Sequence, residues 1–467
     1  MKRFNIGEEL ILDIVDISSE GMGVGKYEGF TFFVDGCTFG DKIKMKIVNI
    51  KKNFALGETI EILEKSPYRI KSKCDYFPLC HGCQLHNLNY EKQLEIKTNM
   101  VKNNLERIGK IFNVKINETI GMDNPYRYRN KANFKVDKSG EIGYFKRGTN
   151  NLVPIDRCII QNPDTDKIID VFKHYFKENG NKNIKDIIIR TTKDGKSMLI
   201  VVTKNHKDIP ILPYFHKGVE HDTLSCQSET NSNNFTMEGS NQERLDEIVS
   251  IFQNINSKNT PVVMGNKDIK LYGEDKIIDS IGEYKFYISP KSFFQVNPIQ
   301  TEILYDKVVK YLDLKGDEIV ADLYCGIGTI AIYISKYAQK VYGVEVVKDA
   351  IEDAKENLKL NNVDNVEFLQ GKSENILPKL NNQGIKIDAI VVDPPRKGLE
   401  KTLIDSILKA NPKKIVYVSC NPSTLARDLG YLTKKGYEIK EVQPVDMFPF
   451  TTHVECVIEI QKVQSSK

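Results

Sequence analysis

Two short apolar runs near the end of the chain, each followed directly by residues suited to chemistry, limit the folds that this sequence can adopt. Residues 387–392 precede Asp393, and residues 415–418 precede Ser419 and Cys420. Apolar runs of this length, separated by sequence of helical character, are typical of buried parallel strands in an α/β sheet. Ligands bind beyond the carboxyl ends of such strands. We therefore expect Asp393 and Cys420 to face one crevice.

An earlier strand–loop unit indicates what binds there. Residues 318–323 have the pattern of a strand, and residues 324–329 form a glycine turn of the kind that lets a ligand approach the backbone of a Rossmann-like sheet. The next strand ends in Glu345, where a carboxylate can hydrogen-bond both ribose hydroxyls of a nucleoside. The third glycine of a dinucleotide fingerprint is missing. Together with Asp393, this set favours S-adenosylmethionine over NAD.

Composition and charge bound the class of protein. The chain has 467 residues, of which 40% are hydrophobic and 28% charged, as in soluble globular proteins of about three domains. No run of 18 apolar residues occurs and the first residues turn acidic early, so we expect a cytoplasmic protein without a membrane segment. Residues 69–157 contain 17 Lys or Arg and 9 Asp or Glu, which suggests a surface that faces a polyanion.

Clustered cysteines predict a metal site. Cys74, Cys80 and Cys83 have the spacing C-x5-C-x2-C, and Cys158 follows at a distance. An odd total of nine cysteines without an export signal favours metal ligands over disulfides. Four thiolates suit either tetrahedral zinc or a [4Fe-4S] cluster. The spacing differs from the C-x3-C-x2-C of radical enzymes, and buried free cysteines are the structural alternative.

Two further stretches suggest RNA binding. Residues 7–65 contain short strands separated by glycine turns, which predicts a small barrel of the oligonucleotide-binding type. Residues 125–136 interleave arginine and lysine with aromatic residues, which can hold phosphates and stack unpaired bases. An ordinary strand with a charged outer face would show the same pattern. Residues 90–110 predict an amphipathic helix, and residues 226–259 support no structural prediction.

Taken together, the chain resembles the RNA (uracil-5-)-methyltransferase family, above all its bacterial 23S rRNA branch with a TRAM domain and an iron–sulfur cluster. FFQVNP, DLYCGIGT, DPPRKG, SCNPSTLARDL and HVEC stand in the expected order. The resemblance implies an OB-type TRAM barrel at 1–65 and a Rossmann-like class I methyltransferase domain at 286–467. Between them it implies an α+β domain at 66–285 with the cluster and an RNA-binding surface, whose helix 90–110 is a candidate to pack on the catalytic domain.

The resemblance also implies roles for individual residues. Cys420 would be the nucleophile and Glu455 the base, with His453 as the competing base. Arg396 offers charge for a phosphate or for the developing enolate oxygen. The contacts to S-adenosylmethionine would come from Gln295, Tyr324, Glu345 and Asp393. The ligands of the [4Fe-4S] cluster, whose role we expect to be structural, would be Cys74, Cys80, Cys83 and Cys158.

The expected reaction is methylation of C5 of a specific uridine in 23S rRNA through a covalent adduct of Cys420 with C6. Covalent catalysis divides this difficult substitution into easier steps. The uridine must be unpaired or flipped out to reach a thiol. A tRNA (uracil-5-)-methyltransferase is the alternative within the class, and a non-catalytic iron–sulfur RNA-binding protein or a radical enzyme are alternatives outside it. No obligate protein partner is evident.

Overall fold

The computed structural model describes residues 4–215, 247–258, 260 and 262–463. Within that part of the chain, no helix is both long and apolar enough to cross a membrane. The described residues form two compact units. The first comprises Met1–Pro125, Ile299–Ile351 and Val363–Lys467, and the second comprises Tyr126–Pro298 and Glu352–Asn362.

A closed barrel of five strands begins the first unit. The strands are β1 (Glu9–Ile17), β2 (Gly23–Tyr27), β3 (Phe30–Asp35), β4 (Lys42–Ile50) and β5 (Phe54–Glu64). They close in the order β1-β2-β3-β5-β4. Buried and exposed residues alternate along β1 and β4, so that one face of each strand fills the interior. The predicted barrel of the oligonucleotide-binding type is confirmed.

A helical segment follows the barrel within the same unit. Helix α1 (Tyr90–Asn104) is capped by Asn89, whose side-chain oxygen accepts a hydrogen bond from the backbone amide of Lys92 at 2.9 Å. It continues into one π-helical turn (Leu105–Gly109), and the short strand β6 (Lys115–Ile116) comes next. Val101 and Leu105 share a hydrophobic core with the large sheet described below.

The second unit is a mixed α+β domain. Its elements are β7 (Lys131–Val136), β8 (Ile142–Phe145), β9 (Leu152–Pro154), α2 (Pro163–Asn179), β10 (Ile184–Thr191), β11 (Ser197–Thr203), α3 (Leu212–Phe215), β12 (Ile248–Ile255), β13 (Lys267–Gly273), β14 (Ile277–Ile281) and β15 (Tyr284–Ile288). Seven strands form one sheet in the order β13-β12-β11-β10-β7-β8-β9, and β14 pairs with β15. Phe172 and Phe176 of α2 pack on Ile187 and Ile189 of β10.

The remaining elements of the described chain form and flank a doubly wound sheet, whose strands all belong to the first unit. Its elements are α4 (Pro298–Leu312), β16 (Ile319–Leu323), α5 (Thr329–Ile334), a 3-10 turn (Ser335–Tyr337), β17 (Lys340–Glu345), α6 (Lys348–Asn361), β18 (Val366–Gln370), α7 (Ser373–Asn382), β19 (Ala389–Val392), α8 (Lys401–Ala410), β20 (Lys414–Ser419), α9 (Pro422–Thr433), β21 (Tyr437–Val445) and β22 (Glu455–Lys462). The order is β18-β17-β16-β19-β20-β22-β21-β6.

The strand order creates a crevice. The strands from β18 to β20 are parallel, as predicted, whereas β22 runs antiparallel to both β20 and β21. The order reverses between β16 and β19, and ligands of such sheets bind at that reversal, beyond the carboxyl ends of the strands.

Candidate active site

Four of the predicted site residues follow parallel strands of the large sheet. Tyr324 follows β16, Glu345 ends β17, Asp393 follows β19 and Cys420 follows β20. Because the strands are parallel, all four lie at one edge of the sheet. Glu455 lies at the same edge because it begins β22, which runs antiparallel to β20. The next residue, Cys456, pairs with Ser419, the last residue of β20.

A pocket of about 380 Å³ opens at this edge. Glu345 lies in its wall, where its carboxylate accepts the backbone amides of Val346 at 2.7 Å, Val347 at 2.9 Å and Gly326 at 3.3 Å. These amides fix the orientation of the carboxylate. The lining residues are Tyr324, Val344, Glu345, Val346, Gly371, Lys372, Ser373, Glu374, Lys397, Glu400 and Thr402.

The loop between β16 and α5 is shaped for close approach of a ligand. Tyr324 has a φ of +74°, which is unusual for a residue other than glycine and is found mainly at functional sites. A Cβ built on Gly328 would lie 2.4 Å from the ring of Phe368, whereas a Cβ on Gly326 would meet no atom within 4 Å. The backbone at Gly326 therefore borders open space. Cys325 is buried in the same loop, and burial raises its pKa well above that of a free thiol.

The proposed nucleophile lies among ionisable groups that alter its pKa. Burial, and then the charges of Glu455 and Asp393, raise the pKa of Cys420 to about 11, while Arg396 lowers it. Burial raises the pKa of Asp393 to about 7. Burial and the charge of Asp393 raise the pKa of Glu455 to about 8, and Arg396 again opposes the shift. A carboxyl group with a pKa near neutrality is suited to exchange protons in general acid–base catalysis.

His453, the competing base, occupies a different environment. Its side chain is exposed, and its Nε2 lies 3.5 Å from a guanidinium nitrogen of Arg396. Glu455 is only 5% exposed. Burial therefore makes Glu455, rather than His453, the group whose basicity the protein controls.

Sequence reasoning missed one further acid, which is fully buried. Asp322 is the penultimate residue of β16. Burial and then the charge of Asp393 raise its pKa to about 8, and the amide of Ala331 acts in the opposite direction. Burial raises the pKa of Tyr305, and the charges of Asp393 and Asp322 add to this shift. An acidic residue inside an otherwise apolar strand was the available signal.

Helix α9 holds the loop that carries Asp393 and Arg396. The carbonyl oxygen of Arg396 accepts the Asn421 amide at 3.0 Å and the Thr424 hydroxyl at 3.2 Å. Arg427 donates to the carbonyl oxygen of Lys397 at 2.9 Å. The SCNPSTLARDL motif therefore serves two purposes, since it carries Cys420 and also fixes the neighbouring loop.

A second set of contacts holds the loop that leads to Glu455. Lys97 of α1 forms a fully buried ion pair with Asp446 and donates to the carbonyl oxygen of Phe448 at 3.0 Å. Tyr90 donates to the other carboxylate oxygen of Asp446 at 2.8 Å. His86 stacks on Phe450, with ring centroids 4.1 Å apart. The segment after the barrel is therefore part of the scaffold of the active site.

Gln295 and the cysteines are divided between the two units. Gln295 belongs to the second unit, where its carbonyl oxygen accepts the Asn130 side chain at 3.1 Å. The three clustered cysteines belong to the first unit and Cys158 to the second, and all four thiols are half-buried. The amide of Gly82 donates to the Cys80 sulfur at 3.4 Å. Burial raises the pKa of Cys80, and Cys74 adds to this shift.

The sequence predicts that the four cysteines bind a metal. Over the described ranges, no group of three or more His, Cys, Asp or Glu side chains has an arrangement that could hold a metal ion. Cys74 acts electrostatically on Cys80.

Comparison with known proteins agrees with this architecture. Residues 271–463 match the tRNA (uracil-5-)-methyltransferase family model, and residues 3–60 match the TRAM domain. An uncharacterized RNA methyltransferase of Clostridium tetani is 46% identical over 460 residues, which cover 96% of this chain and 95% of the relative. Another from Caldanaerobacter subterraneus is 43% identical over 476 residues, which cover 99% of this chain and 100% of the relative.

A solved structure is similar over nearly the whole chain. It is the Pyrococcus abyssi tRNA (uracil-54, C5)-methyltransferase in complex with S-adenosyl-L-homocysteine, with 27% identity and a TM-score of 0.73. The match covers 97% of this chain and 100% of that protein. The barrel and the Rossmann-like sheet therefore have counterparts in a protein that binds the product of S-adenosylmethionine.

Proposed function

Because the chain belongs to the RNA (uracil-5-)-methyltransferase family, we propose that it methylates C5 of a specific uridine in 23S rRNA. The convergence of Cys420, Asp393 and Glu455 beside the pocket of Glu345 carries this proposal. S-adenosylmethionine supplies the methyl group as a sulfonium. The reaction would take place in the cytoplasm.

The side chains of the site fit the successive bond changes. The thiolate of Cys420 adds to C6 of the uracil, which makes C5 nucleophilic, and C5 takes the methyl group as the carbon–sulfur bond of the donor breaks. Glu455 then removes the proton from C5, and the bond between C6 and the Cys420 sulfur breaks to release the product. Arg396 lowers the pKa of both Cys420 and Glu455, and its charge would stabilise the thiolate and the enolate oxygen.

We assign the cofactor contacts from position in the fold. Glu345 would hydrogen-bond the ribose, because its carboxylate is fixed in the pocket wall at the end of β17. Tyr324 lines the same pocket beside the glycine turn. Asp393 would orient the donor or the uracil ring. The role of Gln295 rests on the FFQVNP motif alone.

A tRNA substrate is the second candidate. The Pyrococcus abyssi enzyme, a tRNA (uracil-54, C5)-methyltransferase, matches this chain through its whole length. The 23S rRNA assignment is supported by the C-x5-C-x2-C motif, a feature of the rRNA branch that the sequence resembles. The test is methyl transfer from labelled S-adenosylmethionine to unmodified 23S rRNA and to tRNA, followed by nucleoside analysis. 5-Methyluridine in tRNA alone would refute the rRNA proposal, and label in neither would refute uridine methylation.

The [4Fe-4S] cluster also remains a proposal from the sequence. Its support is the spacing of Cys74, Cys80 and Cys83, the later Cys158, and the amide that donates to the Cys80 sulfur. Iron and sulfide analysis of anaerobically purified protein tests it, together with the visible absorption of iron–sulfur thiolates. Protein that contains zinc, or neither metal, would refute the cluster. The reaction steps above do not involve it.

A further inference from the structure

Three cations of the second unit lie close together on one sheet. Lys131 of β7 and Arg190 of β10 are directly opposite each other on adjacent antiparallel strands. Arg129 precedes β7, and its Nε donates to the carbonyl oxygen of Lys131 at 3.1 Å. Like charges directly opposite each other across two strands are destabilising. The arrangement of these three positive charges therefore does not stabilise the folded protein in the absence of a ligand.

Arg190 is the most constrained of the three. Its side chain is 4% exposed, and its Nη2 donates to the carbonyl oxygens of Pro290 and Ser292. Its Nε is buried and has no hydrogen-bond partner among the described residues. Burial lowers the pKa of Arg190 to about 10. Burial lowers the pKa of Lys131 to about 7, and the charges of Arg190 and Arg129 add to that shift.

The neighbouring cations are neutralised, whereas these three are not. Arg127 pairs with Asp166 at 2.7 Å, and Lys135, on the same face of β7 as Lys131, pairs with Asp186. In the part of the chain that the structure describes, no carboxylate forms an ion pair with the cluster of Arg129, Lys131 and Arg190. Burying an unpaired charge is unfavourable, and buried charges are ordinarily paired. The cluster thus lacks an anion.

We propose that Arg129, Lys131 and Arg190 form a binding site for a backbone phosphate of the RNA substrate. A phosphate supplies the negative charge, and its oxygens accept hydrogen bonds from guanidinium and ammonium groups. The choice of RNA as the source of the phosphate rests on the proposed function.

A second feature on the same face indicates that a hydrogen-bond donor accompanies the anion. Asn133 lies two residues from Lys131 on β7, and its buried Oδ1 has no hydrogen-bond partner within the described ranges. This oxygen is an acceptor and needs a donor, which neither a backbone phosphodiester nor a carboxylate can supply by itself. The 2′-hydroxyl of a ribose next to the phosphate can donate. The set of three cations with one acceptor therefore matches a nucleotide of RNA.

The test compares Lys131→Gln with Lys138→Gln in the full-length protein. The comparison is made at pH 6, where Lys131, with its pKa of about 7, is mostly protonated. Lys138 is exposed between β7 and β8, so both substitutions remove one positive charge from the same hairpin. Binding of fluorescein-labelled oligouridine is measured by anisotropy over a series of salt concentrations. We expect Lys131→Gln to weaken binding about tenfold at low salt, and to reduce the slope of log K against log salt by about 0.7. Lys138→Gln should leave both quantities close to those of the wild type.

Thermal unfolding of the free protein separates a binding role from a structural one. Lys131→Gln relieves repulsion with Arg190, so we expect the variant to unfold at a temperature equal to or above that of the wild type. A lower unfolding temperature with unchanged RNA affinity would overturn the proposal. Arg129→Gln provides an independent second variant and should also reduce the salt slope.

Two further measurements identify the ligand and keep this proposal distinct from the proposed function. Stabilisation of the wild type by inorganic phosphate that is lost in Lys131→Gln, with an unchanged RNA slope, would show a site for free anions and overturn the RNA assignment. Methyl transfer is assayed in parallel. A wild type that transfers no methyl group but binds RNA through Lys131 refutes the function and supports the site. A wild type that transfers the methyl group, together with an unchanged salt slope for Lys131→Gln, supports the function and refutes the site.

Discussion

Replacing Asp322 with asparagine removes a buried ionisable group from the candidate active site with little change of shape. The side chain is fully buried, and burial together with the charge of Asp393 raises its pKa from 3.8 to about 8. A carboxyl whose pKa is higher in the folded protein binds its proton more tightly there than in the unfolded chain. The free energy of unfolding of the wild type therefore falls as the pH rises from about 4 to about 8.

The size of the effect follows from the two pKa values. Between pH 5.5 and 8.5 the Asp322 carboxyl of the folded protein becomes ionised. Its burial makes this ionisation unfavourable, whereas in the unfolded chain the carboxyl is solvated. On these values, the free energy of unfolding that Asp322 contributes decreases by about 3 kcal/mol over this interval. The asparagine side chain of the variant does not titrate. The stability advantage of Asp322→Asn over the wild type should therefore grow by about 3 kcal/mol and level off above pH 8.

Urea denaturation followed by far-UV circular dichroism, at pH 5.5, 7.0 and 8.5, measures this difference. The exposed Asp123→Asn serves as the control for loss of one negative charge. A difference between Asp322→Asn and the wild type that stays constant with pH would refute the reasoning, because it would mean that Asp322 has the same pKa in the folded and unfolded states.

Further predictions concern Lys97 and Gly398, which lie in the two sets of contacts that hold the loops of the candidate site, and the proposed nucleophile Cys420. Lys97→Met leaves Asp446 buried without its ion-pair partner and should lower the free energy of unfolding by about 3–5 kcal/mol in urea denaturation; Asp446→Asn in the same protein should restore most of it. Gly398→Ala places a methyl group 2.5 Å from an Asp428 oxygen at a φ of +75°. It should reduce methyl transfer, and unchanged turnover would show that the loop tolerates displacement. Cys420→Ala should abolish methyl transfer yet retain RNA affinity, so measurable turnover would exclude it as the nucleophile.

The strand-end part of the site could be predicted because it depends on local pattern. Short apolar runs separated by helices specify a parallel sheet, and the residue after each strand then lies at the ligand-binding edge. The positions of Glu345, Asp393 and Cys420 needed no other information, whereas Tyr324 and the nucleophilic role of Cys420 were implied by the family resemblance. Glu455 required the family resemblance, because nothing in its own stretch shows that β22 inserts between β20 and β21.

Features that depend on long-range packing could not be predicted. Lys97 lies on an amphipathic helix, where a lysine ordinarily indicates the solvent side, yet it is fully buried against a residue 349 positions later. Residues 226–259 supported no prediction. Their early part lies outside the described residues, but Ile248–Ile255 forms β12, which is parallel to β11. A polar surrounding sequence conceals this strand.

The active site is assembled by three separate devices, and each controls a different group. The parallel strands place Asp393 and Cys420 at one edge of the sheet. Helix α9 fixes the loop of Arg396, and the charge of Arg396 lowers the pKa of both Cys420 and Glu455. The segment after the barrel fixes the loop before Glu455 through Lys97. In the proposed mechanism Glu455 acts only after the methyl group has moved. A loosened Lys97 contact should therefore slow release of the RNA product more than formation of the covalent adduct.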